Sequence, residues 1–363
     1  MVLYQTIVPD YRVGFFQGLV DRHDGRLTLA CGKESFLPTL RTSSSAEILA
    51  TPLENRFMLR RNLLWQRGLL PLALDADLVI AEFSLRAVST WRLLEYRHRK
   101  GKPTILWGHS AGRRQASGVI RRWMIGHCDG FIAYMPREKE RLQAEFPSLP
   151  IWVAKNSVMK AADCYPILKP ADDVNDVIYV GRLVKEKKVR LLLRGFAQGI
   201  LGGIIPEKTN LVFVGDGPER PLLQNEATAH GLASRVRFLG HITNTEQLRD
   251  LYAGSLMAVS PGYVGLSATQ ALGFGVPMVV ADAERHSPEI ELCVDGESGM
   301  FFRANDSADL ARALGAVIGQ KETWLARRAT LSAAIRRDYT LEAMTATFST
   351  AISEVLRKAQ HDI

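Results

Sequence analysis

Short apolar runs alternate with helical patterns along this chain, and the alternation occurs in two blocks. In the first block the runs are LTLACG (27–32), ADLVIAE (76–82), PTILWGH (103–109), DGFIAYM (129–135) and PIWVAKN (150–156). Each is brief, rich in Val, Ile or Leu, and ends on Gly, a polar residue or a turn. Continuous apolar character marks strands buried on both faces, as in a parallel sheet between layers of helices. Helical patterns such as AVSTWRLLEYRHRK and PREKERLQAEF lie between the runs. A polar stretch with Pro170, LKPADDVND from Leu168, is the best linker candidate. The alternation then restarts: DVIYVGR, a helix through VRLLLRGFAQGI, TNLVFVGDG, a helix from Glu219, RVRFLGHI, LMAVSP, PMVVAD and GMFFR. Helices from Ser307 and from Leu341 close the chain. The pattern predicts an α/β protein of two doubly wound domains, 1–165 and 171–340.

The 363 residues suffice for two cores, and 47% apolar against 23% charged residues excludes a disordered chain. Cys31, Cys128, Cys164 and Cys293 are scattered, without zinc-ligand spacing, so no metal is expected. Reduced thiols, and an amino terminus without a basic start followed by an apolar core, suggest a cytoplasmic location. The net charge of +8 favours phosphate-bearing ligands, anionic lipid or nucleic acid. No nucleic-acid motif appears, so that partner is not expected. Two basic segments contain Trp and Leu. RFMLRRNLLWQRGLLPLAL holds Arg60, Arg61 and Arg67, and GRRQASGVIRRWMIGH holds Arg113, Arg114, Arg121 and Arg122. Both read as amphipathic helices. They either pack on a sheet with solvated arginines or rest on anionic lipid.

Residues 251–281 carry no charged side chain. A membrane helix needs about 20 apolar residues in sequence. Here Pro261, Gly262, Gly265, Gly273, Gly275 and Pro277 interrupt the run, so strand, glycine-bearing turn, short helix and strand describe it better. In doubly wound domains ligands bind beyond the carboxyl ends of strands. A helix start there offers unpaired N–H groups and partial positive charge, which suits a diphosphate, although glycine turns before helices also occur without ligands. In VGRLVKEKKV, Arg182 and Lys187 follow another strand. They read either as a clamp on a diphosphate, the guanidinium as a fork and the ammonium as a point charge, or as a solvated basic loop.

VIYVGRLVKEKKVRLLLRGFA, LVFVGDGPERPLLQNEATAHGLASRVRFLGHI and PEIELCVDGESGMFF resemble, in order and spacing over 177–302, the carboxyl-terminal domain of glycosyltransferase family 4. YRVGFFQGL and KPTILWGHS resemble a subset of that family that builds bacterial surface polysaccharides. The resemblance implies the GT-B fold, two Rossmann-like domains facing a central cleft. The first would be the acceptor side, with the helix at about 341–363 packing back on it, and the second would bind a nucleotide sugar. It implies a retaining glycosyltransferase that needs no metal or other cofactor. The acceptor would be a saccharide, lipid-linked in this subset and presented at the inner face of the plasma membrane, where the basic segments would make a peripheral contact. The pathway would be exopolysaccharide, capsule or lipopolysaccharide biosynthesis. The oligomeric state stays open.

The resemblance also assigns residues. Arg182 and Lys187 would neutralise the departing diphosphate. Gly265, Leu266 and Ser267 would offer backbone donors to its phosphates, and His109 would face the transferred sugar. Ile242 and Gln270 would contact the nucleoside. Gly14, in the first strand-helix loop, and Glu289, in SPEI, are further donor-side candidates. Tyr11, Arg12, Arg113 and Arg114 would meet the acceptor. The chain departs from the pattern at the family's two motif carboxylates. Aligned on QALGFGVP they fall at Gly262 and Gln270. A catalytically silent GT-B scaffold for a polysaccharide-assembly complex is therefore an alternative.

Overall fold

The computed structural model describes residues 1–37, 40–110 and 117–361. The chain divides into two compact units, Met1–Val158 with the carboxyl-terminal helix Leu341–His361, and Met159–Thr340. The division therefore precedes the polar stretch from Leu168. Met159 already packs into the second unit, where its Cε would lie 3.0 Å from a Cβ on Gly273, and Asp163 pairs with the buried Arg249 at 3.0 Å.

Unit 1 is built on eight strands: β1 (Val2–Gln5), β2 (Thr28–Gly32), β3 (Thr51–Met58), β4 (Leu63–Arg67), β5 (Val79–Glu82), β6 (Thr104–Trp107), β7 (Gly130–Ala133) and β8 (Ile151–Val153). They lie in the order β4-β3-β2-β1-β5-β6-β7-β8, and all neighbours are parallel except β3 and β4. The five apolar runs of the sequence correspond to β2, β5, β6, β7 and the edge strand β8, while the central strand β1 and the pair β3 and β4 were not among them. β1, β6 and β7 are buried along their whole length.

The first basic segment is not a helix. Residues 51–67 form an antiparallel hairpin whose turn puts Leu59, Arg60 and Arg61 at φ of 47°, 53° and 63°. Only the short helix Leu69–Ala73 follows. The second segment is helical over Ser117–Gly126, where both Arg121 and Arg122 pair with Glu145. Arg113 and Arg114 lie outside the described residues.

The amino edge of this sheet is held by a buried cation. Arg97 in the helix Val88–Arg99 donates to the carbonyls of Ala73, Leu74, Ala76 and Pro103 and to Thr104 Oγ1, at 2.7–3.0 Å. A desolvated guanidinium is tolerated when its fixed donors all find acceptors. Burial still depresses its pKa to about 10.

Unit 2 contains β9 (Asp176–Val180), β10 (Leu211–Val214), β11 (Val236–Phe238), β12 (Ser255–Ser260), β13 (Met278–Ala281) and β14 (Gly299–Phe302). Their order is β11-β10-β9-β12-β13-β14, entirely parallel. The uncharged stretch supplies β12, a turn, the seven-residue helix Ser267–Gly273 and β13. Burial on both faces of a six-stranded sheet accounts for its lack of charge. No helix among the described residues is long and apolar enough to cross a membrane.

Candidate functional site

In each sheet the strand order reverses beside the first strand, which opens a crevice at the carboxyl edge. In unit 2 the crevice lies between the segments that leave β9 and β12. The β9 exit is packed tightly against the loop after β10. Gly215, at φ 134°, comes so close that a Cβ there would lie 1.9 Å from the Gly181 carbonyl oxygen, which excludes any side chain. Tyr179 supports the same exit by donating its hydroxyl to the Arg182 carbonyl at 2.9 Å. Arg182 is exposed, and its guanidinium has no ion-pair partner among the described residues.

Lys187, half-buried, closes the short turn Lys185–Lys187. Its Nζ donates to the Tyr263 carbonyl at 3.0 Å and lies 3.5 Å from the centre of the Tyr263 ring. Burial and the nearby Arg182 depress its pKa to about 8, while Glu289 pulls in the other direction. Glu289 is buried in the short helix Pro288–Leu292, and its charge acts on Lys187. Lys188, in left-handed backbone, pairs with Glu284 and Asn305 instead. Of these three cations, Lys187 reaches the turn after β12, and Arg182 lies near enough to act on its charge.

The turn after β12 sits directly against this segment. A Cβ on Gly262 would lie 2.8 Å from the Glu186 carbonyl oxygen and 2.9 Å from the Lys187 carbonyl carbon. A side chain at position 262 has no room, so its missing carboxylate is the condition for this close approach. A Cβ on Gly265 would lie 3.8 Å from Lys187 Nζ, which places the ammonium beside the turn. The N–H groups of Gly265, Leu266 and Ser267 donate to no backbone acceptor among the described residues. Gln270, half-buried in the following helix, turns its Oε1 toward the buried Tyr252 hydroxyl at 3.5 Å, at the edge of hydrogen-bond range. Ile242 is half-buried in the loop after β11.

His286 was not singled out by its sequence context, yet it holds the turn. It accepts from the Val264 N–H at Nδ1 (3.0 Å), and its Nε2 reaches the Ala281 carbonyl (3.0 Å).

In unit 1 the corresponding crevice lies between β1 and β5. Glu82 closes β5, and its Oε2 accepts from the Thr6 N–H beyond β1. Burial raises the Glu82 pKa, against the pull of the Thr6 hydrogen bonds and of Arg12. Arg12 lies over the rings of Trp107 (5.3 Å), Tyr134 (5.6 Å) and Tyr11 (5.8 Å), and donates to the Tyr134 hydroxyl at 3.1 Å. Tyr11 is 52% exposed.

His109 follows β6, with its ring 4.6 Å from that of Tyr134. Desolvation depresses its imidazole pKa, Glu138 opposes this and Arg12 adds to it. Buried Glu138 accepts from the Ser110 N–H, whose hydroxyl accepts from Arg141 at 3.0 Å. The crevice thus gathers His109, Arg12 and Tyr11 with Glu82 and Tyr134, two residues the motif reading did not select. Gly14 behaves differently from expectation. It sits in the first turn of the helix Val13–Arg22, outside the loop, and a Cβ there would lie 3.1 Å from Leu341 Cδ1. Its position is explained by packing against the start of the closing helix.

Comparison with known proteins addresses the chemistry. Residues 174–320 match the family described as Glycosyl transferases group 1. The resemblance read over 177–302 is borne out. A glycogen synthase of Mycobacterium tuberculosis is 27% identical over 216 residues, 58% of this chain and 50% of that protein. A D-inositol 3-phosphate glycosyltransferase of Geodermatophilus obscurus is 28% identical over 202 residues, 53% of this chain and 44% of its own. The chain spans about half the length of these curated relatives. Among solved structures, Anabaena HepE in complex with UDP aligns with a TM-score of 0.73 and 16% identity, covering 97% of this chain and 99% of that one. HepE has also been solved with UDP-glucose. At that identity the likeness establishes the fold, which is GT-B, with two Rossmann-like units.

Proposed function

We propose that the protein is a retaining glycosyltransferase that takes a sugar from a nucleotide diphosphate sugar. One observation carries this reading. At the strand-order reversal of unit 2, Lys187, with the Arg182 charge near it, reaches a turn whose three consecutive N–H groups are unclaimed by the backbone. Departure of a nucleoside diphosphate concentrates negative charge on the β-phosphate. Fixed cations and oriented N–H donors are worth most where charge develops in the transition state. Arg182 and Lys187 supply that charge from the chain itself, so we propose that turnover needs no metal ion and persists in a chelator. Ile242 and Gln270 take the nucleoside side, and Glu289 keeps Lys187 charged. In unit 1, His109, Arg12, Tyr11 and Glu82 offer hydrogen-bonding and aromatic surfaces that suit a saccharide acceptor. The bacterial surface-polysaccharide subset further suggests a lipid-linked acceptor at the inner membrane face.

The direct test incubates the purified protein with a panel of nucleotide sugars and follows nucleotide release, with and without lipid-linked saccharides. Arg182→Ala and Lys187→Ala should each lower kcat by at least about a hundredfold, as does loss of one oriented transition-state donor elsewhere. The scaffold alternative has its own support, because position 262 cannot hold a carboxylate and Gln270 faces Tyr252. It predicts no turnover with any donor, and in-cell function that survives both substitutions.

A further inference from the structure

The Tyr263–Val264 peptide is gripped at both ends. Its carbonyl oxygen accepts from Lys187 Nζ at 3.0 Å and from Ser260 Oγ at 3.2 Å. Its N–H donates to His286 Nδ1 at 3.0 Å. The next carbonyl, that of Val264, accepts from the Ser287 N–H at 3.0 Å. The far side of the imidazole, Nε2, lies 3.0 Å from the Ala281 carbonyl oxygen at the end of β13. A backbone N–H only donates and a carbonyl only accepts. Nδ1 is therefore bare and Nε2 carries the hydrogen, which defines one neutral tautomer. We propose that His286 is a positioning residue. As the neutral Nε2–H tautomer it fixes the Tyr263–Val264 peptide, and through the Tyr263 carbonyl it fixes where the Lys187 ammonium meets a nucleoside diphosphate.

This inference rests on the nucleotide-sugar reading for its ligand, while the chain of contacts stands without it. Protonation of His286 puts a hydrogen on Nδ1, facing the Val264 N–H. Two donors cannot share that space, so either the peptide turns or the ring leaves, and Lys187 loses its acceptor. The charged surroundings of the ring are mixed. Asp282 and Glu284 on its own loop favour the imidazolium, but Glu284 is engaged by Lys188. Lys187 opposes it, with Arg182 and Glu289 facing Lys187 in turn. Burial is the largest influence, and the imidazole pKa lies below its ordinary value. The gripped arrangement is thus complete at neutral pH. It is lost only as pH falls through that lowered value, below about 6.5.

The test measures affinity for UDP, GDP, ADP and dTDP between pH 8 and pH 5.5 in the wild type, His286→Asn and His286→Ala. An asparagine oxygen takes the place of Nδ1 and does not titrate. At pH 8, His286→Ala should bind its best nucleotide about tenfold more weakly than the wild type, with His286→Asn between them. As pH falls through the His286 pKa, read from the ring signals by NMR, the wild type should lose affinity relative to His286→Asn. The ligand's own phosphate titration is common to all three proteins and cancels in the ratio. A ratio that stays constant while the His286 ring titrates, or an alanine variant equal to the wild type at pH 8, overturns the proposal. If the wild type binds none of the four nucleotides, the donor reading falls. The positioning role is then decided by NMR of the wild type, which also decides it if the variants fail to fold. The Val264 amide signal should move with the His286 ring as it titrates, and an amide signal that ignores that titration removes the role.

Discussion

Lys187 carries a charge that its surroundings disfavour. Burial comes first and the Arg182 charge second in bringing its pKa to about 8. Since the value is depressed, the ammonium is present below about pH 8 and is lost above it. A bound diphosphate brings negative charge to the same place and raises the value again. Two outcomes follow by linkage. Nucleoside diphosphate affinity should fall as pH rises past about 8, and binding near that pH should take up a proton. Calorimetry in buffers of different ionisation enthalpy measures the uptake directly, and Lys187→Met should abolish it. At this scale the site was only partly legible. Arg182 and Lys187 could be read because two cations follow an apolar run that ends in glycine, a local pattern. Glu82 closes its own apolar run and left a weaker signal of the same kind. His286 left none, because its role depends on Val264, 22 residues earlier, folding back onto it. Gly262 read as a missing carboxylate, and the structure shows a glycine required by the backbone of Glu186 and Lys187.

The hairpin of residues 51–67 shows where element-level reading stops. Its arginines and leucines fit a helical period, and the turn holds neither glycine nor an Asn-Gly pair that would announce a hairpin. Instead Leu59, Arg60 and Arg61 take left-handed backbone, at a cost of about 1 kcal/mol each. Contacts from distant residues hold them there. Arg86 donates to the carbonyls of Arg61 and Asn62 and lies 3.8 Å from the centre of the Phe36 ring. Gln66 Nε2 reaches the Gln5 carbonyl at 3.0 Å. Arg86→Ala should therefore cost about 1–3 kcal/mol in urea unfolding, the range for hydrogen bonds to a charged group. It should also speed amide exchange at Asn62, whose N–H closes the turn. The hairpin changes the lipid argument too. Arg56 and Arg67 share Glu54, and Arg61 pairs with Glu34. Within this first basic segment, contact with an anionic surface would thus rest on Arg60 and the 70%-exposed Leu59 at the tip of the hairpin.

Over the whole molecule, the repeated strand-helix alternation was the most legible feature, because a parallel strand buried on both faces announces itself without knowledge of its neighbours. The order of strands and the limits of the units depend on distant contacts, so they were less readable. The chain's last helix illustrates this. Met344, Phe348, Ala351, Ile352 and Val355 belong to the same buried cluster as Phe15, Phe16 and Trp107 near the start. Phe348 lies 5.0 Å from Phe15 and 4.9 Å from Trp107, centre to centre, with edge-to-face rings. The same cluster reaches the unit 1 crevice, because Arg12 also lies over the Trp107 ring and contacts Met344. Phe348→Ala removes a fully buried ring and leaves a cavity, which should cost unit 1 about 3–5 kcal/mol. Because Phe348 has no part in the nucleotide crevice of unit 2, the added stability from a saturating nucleoside diphosphate should survive the substitution. Thermal unfolding of the wild type and the variant, each with and without nucleotide, separates the two effects. Loss of the nucleotide-dependent stabilisation along with the intrinsic stability would show that the donor crevice depends on the unit 1 core.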